Sequence, residues 1–238
     1  MARSRMNGLC VSCFLSCTVM GRQVMSNSEL PDSPADRVSW VISAPDQHEM
    51  RRRYDLWASL YDADVSDFET YLAPMATAEV AKTFLSPTDR ILDAGAGTGL
   101  SGAALEAAGF DNLVAVDFSA GMLKIAEDKG IYRETVCADL GARTAFADDA
   151  FDAVVTVGTT SQMPAESLRE FVRIVRPGGR ILFTVWVEAY VERGYAAIQQ
   201  SFEGEGRLAL IHEGEAFQAL PTSEPDIWYE VWVFDVLS

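Results

Sequence analysis

From residue 87 onward, short apolar runs alternate with stretches in which apolar residues recur every three to four positions. The runs at residues 90–92, 113–116, 135–137, 153–157 and 181–185 are near-continuously apolar, as strands buried on both faces should be. Residues 101–108, 120–129 and 166–175 carry the helical period between them. Repeated β-α units of this kind predict an α/β domain built on a parallel sheet. Pro177-Gly178-Gly179 predicts a tight turn into the fifth strand. Residues 226–237, DIWYEVWVFDVL, are rich in aromatic and β-branched types and predict a long last strand, with a shorter one at 207–212. The linker at 221–225 is too short for a helical crossover, so these two strands should pair antiparallel and make the sheet mixed.

Upstream, Ser33-Pro34 predicts a helix cap followed by proline in the first turn, and the segment to about residue 85 reads as two or three helices. Within it Tyr54, Trp57 and Tyr61 recur at spacings of three and four, which puts their rings on one helical face. Such a stripe packs a core unless its helix lies over a ligand site. The expected organisation is an extension at 1–30, a helical N-terminal lid region at 31–86 and a main domain at 87–238. Arg3 and Arg5 precede an apolar stretch that imitates a leader peptide, but Ser12, Ser16 and Thr18 interrupt it and no clean cleavage site follows. The extension is expected to be disordered or to lie upstream of the true start, with Met1, Met6, Met20 and Met25 as possible initiators and Met20 or Met25 favoured.

Composition narrows the partners. The 238 residues, 49% hydrophobic and 23% charged, suit one folded body with an extension. Thirty-five acidic against 19 basic residues give a formal charge of −16, which repels phosphate backbones and anionic lipid, so neither nucleic acid nor membrane is an expected partner. Cys10, Cys13 and Cys17 crowd the extension and only Cys137 lies in the body, so no disulfide framework is visible. The C-x-x-C-x-x-x-C spacing lacks further ligands nearby and predicts no metal. A cytoplasmic protein is expected; composition leaves the oligomeric state open.

The chemistry concentrates in ILDAGAGTGLSG, residues 91–102, which reads in two registers. Residues 97–102 fit the G-x-G-x-x-G of a dinucleotide fold, and residues 93–99 fit a D-x-G-x-G-x-G loop. Both put Gly95, Gly97 and Gly99 in the first strand-to-helix turn, where glycine permits positive φ and close approach of the backbone to a ligand. Both also use Asp117, twenty residues after Gly97, as an acceptor for ribose hydroxyls, with Ser119 as the cap of the next helix. Asp93 separates them. Beside a pyrophosphate it would cost roughly 4 kcal/mol per charge pair at 4 Å and an effective dielectric near 20, whereas a cationic ligand reverses the sign. Asp139 closes the third strand, where it could accept from an adenine amino group between Ala138 and Leu140. Three acids thus share the carboxyl edge at which doubly wound sheets bind ligands.

ILDAGAGTGL, LVAVDFSAGML, CADL, FDAVVTVG and IVRPGGRILFTVW stand in order and at family-like spacing. Over most of residues 50–238 the chain resembles the class I S-adenosylmethionine-dependent methyltransferases of the type 11 group. YDLWASLYDADV and WYEVWVFDVL resemble, within it, the Williams-Beuren syndrome region methyltransferase-like proteins. The resemblance implies a Rossmann-like, seven-stranded mixed sheet of order 3-2-1-4-5-7-6 with strand seven antiparallel, and S-adenosylmethionine as cofactor. It implies Asp93, Gly95, Gly97, Thr98 and Gly99 around the methionine part, Asp117 on the ribose, and Phe118, Ser119 and Met122 beside the adenine. Asp139 and Leu140 would stand at its far edge, Gly158 after the fourth strand, and Tyr61 with Tyr54 as lid tyrosines.

Transfer from a sulfonium needs alignment and exclusion of water more than a dedicated side chain, so no catalytic residue is assigned. His48 and His212 are the two histidines, and neither is placed by sequence at the carboxyl edge. The acceptor is expected to be a small, partly polar molecule, held by residues 158–163, the helical lid and the loop after Trp186; no Asn-Pro-Pro-Tyr motif of amino-methylating enzymes follows the fourth strand. The competing readings are an NAD(P)-dependent oxidoreductase using the 97–102 register, and a non-catalytic, methyltransferase-like subunit that serves a partner.

Overall fold

A computed structural model describes residues 29–68, 71–221 and 225–238, with no side-chain detail at 67 and 68. The cysteine trio, the leader-like stretch and the four candidate initiators lie outside the described residues.

Three helices come first, α1 (Pro34–Ile42), α2 (Gln47–Phe68) and α3 (Ala73–Phe84). The Ser33 hydroxyl accepts the Asp36 N–H at 3.1 Å and Pro34 opens the first turn, so α1 starts where its cap dictates. Seven strands follow: β1 (Ile91–Ala94), β2 (Leu113–Asp117), β3 (Glu134–Cys137), β4 (Phe151–Thr156), β5 (Val175–Trp186), β6 (Leu208–Glu213) and β7 (Tyr229–Val236). Between them run α4 (Leu100–Ala107), α5 (Ala120–Asp128), α6 (Ser167–Ile174), α7 (Val187–Glu192) and α8 (Tyr195–Gly204).

The strands form one sheet in the order β3-β2-β1-β4-β5-β7-β6. β1 to β5 pair parallel, and β7 runs antiparallel to both β5 and β6, as expected, although the connection between β6 and β7 spans 214–228 and is longer than the linker at 221–225 on which that expectation rested. Both faces are covered. Leu92, Ala94, Val154 and Phe183 pack against α6 residues such as Phe171, while Ile91, Val155 and Leu182 pack against Ala78 and Ala81 of α3. α3 is therefore part of the sandwich, and α1 with α2 forms the cover over one end of it, around Val41, Met50 and Trp57.

Three expectations need correction. β3 is not buried on both faces: it is an edge strand, at the opposite edge from β6, and Glu134 and Cys137 are exposed. β5 begins at Val175, so Pro177-Gly178-Gly179 lies inside it, where Gly178 takes φ +77° and the register against β4 shifts between Phe151 and Ala153. This is the local irregularity that lets proline and glycine sit in a strand. The segment after Trp186 is not a loop but α7 and α8. Tyr190 and Tyr195 are fully buried there, their rings stacked at 5.2 Å and packed edge-on to Phe183.

Candidate active site

β1 ends at Ala94 and α4 begins at Leu100; between them Gly95, Gly97 and Gly99 take φ of +75°, +54° and +90°. A side chain is strained at each. The Gly95 N–H donates to Val116 O at 2.8 Å, tying the turn to β2. A Cβ at Gly97 would meet no atom within 4 Å, so the loop backbone there faces open space rather than packed core.

That space is a cleft of about 900 Å³, part of it open to solvent, at the carboxyl ends of β1, β2 and β4 and beneath α2. Of the residues singled out in the sequence, Tyr54, Tyr61, Gly95, Gly97, Thr98, Asp117, Phe118, Met122, Asp139, Leu140 and Gly158 all line it. Asp93, Gly99 and Ser119 do not. Asp139 turns one oxygen back to the Gly141 N–H at 2.8 Å, in a local Asx turn.

Asp117 closes β2 and is 7% exposed. Its Oδ2 accepts the Gly97 N–H at 2.9 Å and its Oδ1 the Ser119 N–H at 2.8 Å. Burial pushes its carboxyl up to about 6, and the nearby Asp93 charge adds to this, while backbone donors from Ser119, Gly97 and Phe118 oppose it. Each oxygen keeps a second lone pair, so the acid that holds the glycine loop can also accept from a ligand in the cleft.

Asp93 sits elsewhere than the charge argument placed it. Side chains alternate across a strand, so it shares the face of Ile91 and points under α4, away from the cleft. It is fully buried, accepting the Ser101 hydroxyl at 2.6 Å and the Tyr132 phenol at 2.5 Å, and burial raises it to about 6. Its route to a ligand is through the loop it braces, not through direct attraction. Gly99 caps α4 with Tyr132 behind it, and Ser119 caps α5 by accepting the Met122 N–H at 3.1 Å.

Over the cleft, α2 is tied to the glycine turn and to the start of α5. Asp55 accepts from the Ser119 hydroxyl at 2.6 Å and the Gly121 N–H at 2.8 Å. Asp62 accepts from the Thr98 hydroxyl and pairs with Lys129 at 2.7 Å. Tyr54 donates to the side-chain oxygen of Gln162. Sequence reasoning missed Asp55, Asp62 and Tyr132. The signal for the first two was present, because the pair Tyr-Asp recurs at 54–55 and 61–62, seven residues apart, which puts rings and acids on adjoining faces of one helix. Burial raises both phenols, Tyr61 to about 12. His212 packs against Phe84 at 5.0 Å, and neither it nor His48 lines the cleft.

A second cavity, of about 720 Å³ with its part open to solvent included, adjoins the cleft and shares Tyr54, Tyr61, Tyr71, Gly158 and Gln162 with it. It opens between α1, α2, the segment after β4 and residues Ala219, Leu220 and Tyr229; α7 and α8 do not line it.

The groups in the first cleft suit an adenosyl ligand: backbone open to a close approach at Gly97, a buried carboxylate bonded to that turn at Asp117, and apolar walls at Met122 and Leu140. Among the described residues no cluster of His, Cys, Asp and Glu could hold a metal ion.

The methyltransferase domain family model matches residues 92–183. Human methyltransferase-like protein 27 is 35% identical over 161 residues, covering 65% of this chain and 64% of that protein. The demethylmenaquinone methyltransferase of Mycolicibacterium vanbaalenii is 31% identical over 192 residues, covering 74% of this chain and 81% of that protein. That of Renibacterium salmoninarum is 32% identical over 164 residues, covering 63% and 66%. The chain thus spans just under two thirds of the length of the human and Renibacterium relatives. The crystal structure of Burkholderia thailandensis 1,6-didemethyltoxoflavin-N1-methyltransferase, with 1,6-didemethyltoxoflavin and S-adenosylhomocysteine bound, superposes with a TM-score of 0.58 at 17% identity over 82% of this chain and 92% of that one. The [4+2]-cyclase SpnF superposes at 0.64 with 16% identity over 82% and 98%. At these identities the two structures share the fold. Sheet order, glycine turn and related sequences agree, and the chain belongs to the class I S-adenosylmethionine-dependent methyltransferases.

Proposed function

We propose that this chain transfers the methyl group of S-adenosylmethionine to a small-molecule acceptor. The observation that carries the reading is the pair of adjoining cavities, one edged by the glycine turn and Asp117, the other reached past Tyr54, Tyr61, Gly158 and Gln162. The relatives named for demethylmenaquinone and the neighbour crystallised with 1,6-didemethyltoxoflavin are named for small molecules, which supports it.

When bound, the cofactor supplies a methyl already activated on a sulfonium, so the protein contributes alignment and dryness. Gly95, Gly97 and Thr98 would hold its amino-acid end by backbone contacts, Asp117 its ribose, and Phe118, Met122 and Leu140 its adenine, with Asp139 at the outer edge. Tyr54 and Tyr61 would cover the join with the acceptor and keep water from it. Asp93, Gly99 and Ser119 act in this reading by shaping the two turns. Residues 31–86 then serve as the lid-bearing region and 87–238 as the catalytic domain, working in the cytoplasm; among the described residues no helix is long and apolar enough to cross a membrane. The antiparallel β7 speaks against the dinucleotide register, whose sheet runs 3-2-1-4-5-6 without it.

The test is calorimetric titration of the full chain with S-adenosylmethionine, S-adenosylhomocysteine and NAD. Micromolar binding of the adenosyl pair without an NAD signal is the expected result. Binding of NAD alone would restore the oxidoreductase, and adenosyl binding with no turnover across a metabolite panel would favour the non-catalytic subunit.

A further inference from the structure

The second cavity has a chemical character that the first lacks. Among the described residues no Lys, Arg, His, Asp or Glu lines it, although the chain as a whole carries a charge of −16. Val41, Trp57, Val65, Ala73, Ala219 and Leu220 make its body. Behind the Trp57 wall Arg37 and Asp64 are committed to each other, pairing at 2.7 Å with little exposure, and Asp64 also accepts the Trp57 indole N–H at 2.5 Å; on the side shared with the first cleft, the Asp62 and Asp117 carboxylates act on Tyr61 and Tyr54. Rings meet at its wall, Tyr54 stacked on Trp57 at 6.3 Å and Trp57 edge-on to Tyr61 at 4.7 Å. Polar groups gather at the side shared with the first cleft, where the Tyr54 hydroxyl donates a hydrogen bond to the Gln162 side-chain oxygen.

Among the described residues of that lining there is no carboxylate, imidazole or amine to take a proton. An amide and a serine hydroxyl are not bases, and burial holds the protons on Tyr54 and Tyr61. A charged acceptor body would lose its hydration with no partner to replace it, whereas an apolar ring gains by leaving water.

We infer that the second cavity is the acceptor subsite and takes an uncharged, ring-bearing apolar molecule whose nucleophile is a thiol or acidic phenol that gives its proton to water. This rests on the methyltransferase reading above. The ring occupies the apolar body and the ionised sulfur or oxygen lies at the shared wall, facing the sulfonium. Its lone pair forms the new bond to the methyl carbon, the carbon–sulfur bond of the donor breaks, and that pair stays on sulfur as a neutral thioether. The proton has already passed to solvent, so no residue needs to take it.

Three probes with one nucleophile test this: thiophenol, 4-mercaptobenzoate and 4-(aminomethyl)thiophenol, assayed with the full chain and S-adenosylmethionine. Thiophenol should exceed both charged probes by about tenfold or more in kcat/KM, and its rate should rise with pH along its own ionisation. Ile42 lines the cavity at its rim and is 51% exposed, so Ile42→Asp should fold. It should lower kcat/KM for thiophenol severalfold and leave S-adenosylhomocysteine affinity unchanged. A charged probe turned over as well as thiophenol, or no transfer to thiophenol by protein that binds S-adenosylhomocysteine, would overturn the inference. Failure to bind S-adenosylhomocysteine would instead overturn the methyltransferase reading, and this one with it.

Discussion

Tyr132, between α5 and β3, donates its phenol at 2.5 Å to Asp93, the acid of the glycine turn. The ring also lies against Gly99 and Gly102, so close to Gly102 that a Cβ there would collide with it. One side chain therefore braces the loop by a hydrogen bond and by packing.

Removing the phenol oxygen tests the bond without the packing. Tyr132→Phe leaves a buried carboxylate with one donor fewer, a loss of about 1–3 kcal/mol. The expected result is a lower denaturation midpoint together with a weaker S-adenosylhomocysteine affinity. A normal affinity in a destabilised protein would show that Tyr132 supports the fold and not the loop geometry.

Asp117 reaches the cleft directly, and its replacement should act on binding more than on folding. Asp117→Ala is expected to weaken S-adenosylhomocysteine binding tenfold or more, about 1.4 kcal/mol. Asp117→Asn should lie between, since its amide retains one acceptor for a ribose hydroxyl. Unchanged calorimetric affinity in both variants would remove the ribose assignment.

These two acids also mark the limit of what the sequence discloses. Asp93 and Asp117 both close apolar runs, and the runs were legible because strands buried on both faces need unbroken apolar residues. Which way a strand-end acid points depends on strand parity and on what packs behind it. Tyr132 is 39 residues from Asp93, and nothing local announces the contact. α7 and α8 were hidden for a similar reason: their ordering comes from Tyr190 and Tyr195 stacking on each other against Phe183, a tertiary contact with no short-range period. The β-α alternation, the glycine turn and the aromatic face of α2 depend on nearest neighbours and on period, and so could be read directly, whereas the full strand order was implied by the family resemblance.

Asp93 and Asp117 also set a pH dependence. Both are raised to about 6 in the folded chain, against about 3.9 for an unperturbed Asp. The folded state thus binds their protons more tightly than the unfolded one. The stability they contribute is fully present below about pH 4 and is lost as pH rises through about 6. Glu49, Asp148, Asp152 and Glu170 are shifted down and carry the opposite sign, gaining stability as pH rises through the lower range where unfolded carboxylates ionise. Between pH 5 and pH 7, roughly the window above those carboxylates, wild type should lose stability relative to Asp117→Asn. Thermal melts of the two proteins across the window give the comparison, and parallel curves would show that Asp117 titrates normally.

Asp55 and Asp62 are placed to decide how α2 opens. Each joins α2 to a turn of the main domain, Asp55 to the start of α5 and Asp62 to Thr98 of the glycine loop. Asp55→Ala leaves the Gly121 N–H and the Ser119 hydroxyl without this acceptor, while Ser119 still caps α5. Since the site is partly exposed, the cost to global stability should stay near 1 kcal/mol. Local opening of α2 should become easier, because hydrogen bonds to the body hold it there. The expected signature is faster amide exchange along α2 and faster release of S-adenosylhomocysteine, with exchange in β1 and β4 unchanged. Asp62→Ala should act in the same direction through Thr98, and the double variant should be less than additive if one closed state underlies both contacts. Uniformly faster exchange across the sheet would instead mean that the two acids stabilise the whole domain, and that α2 does not move as a lid.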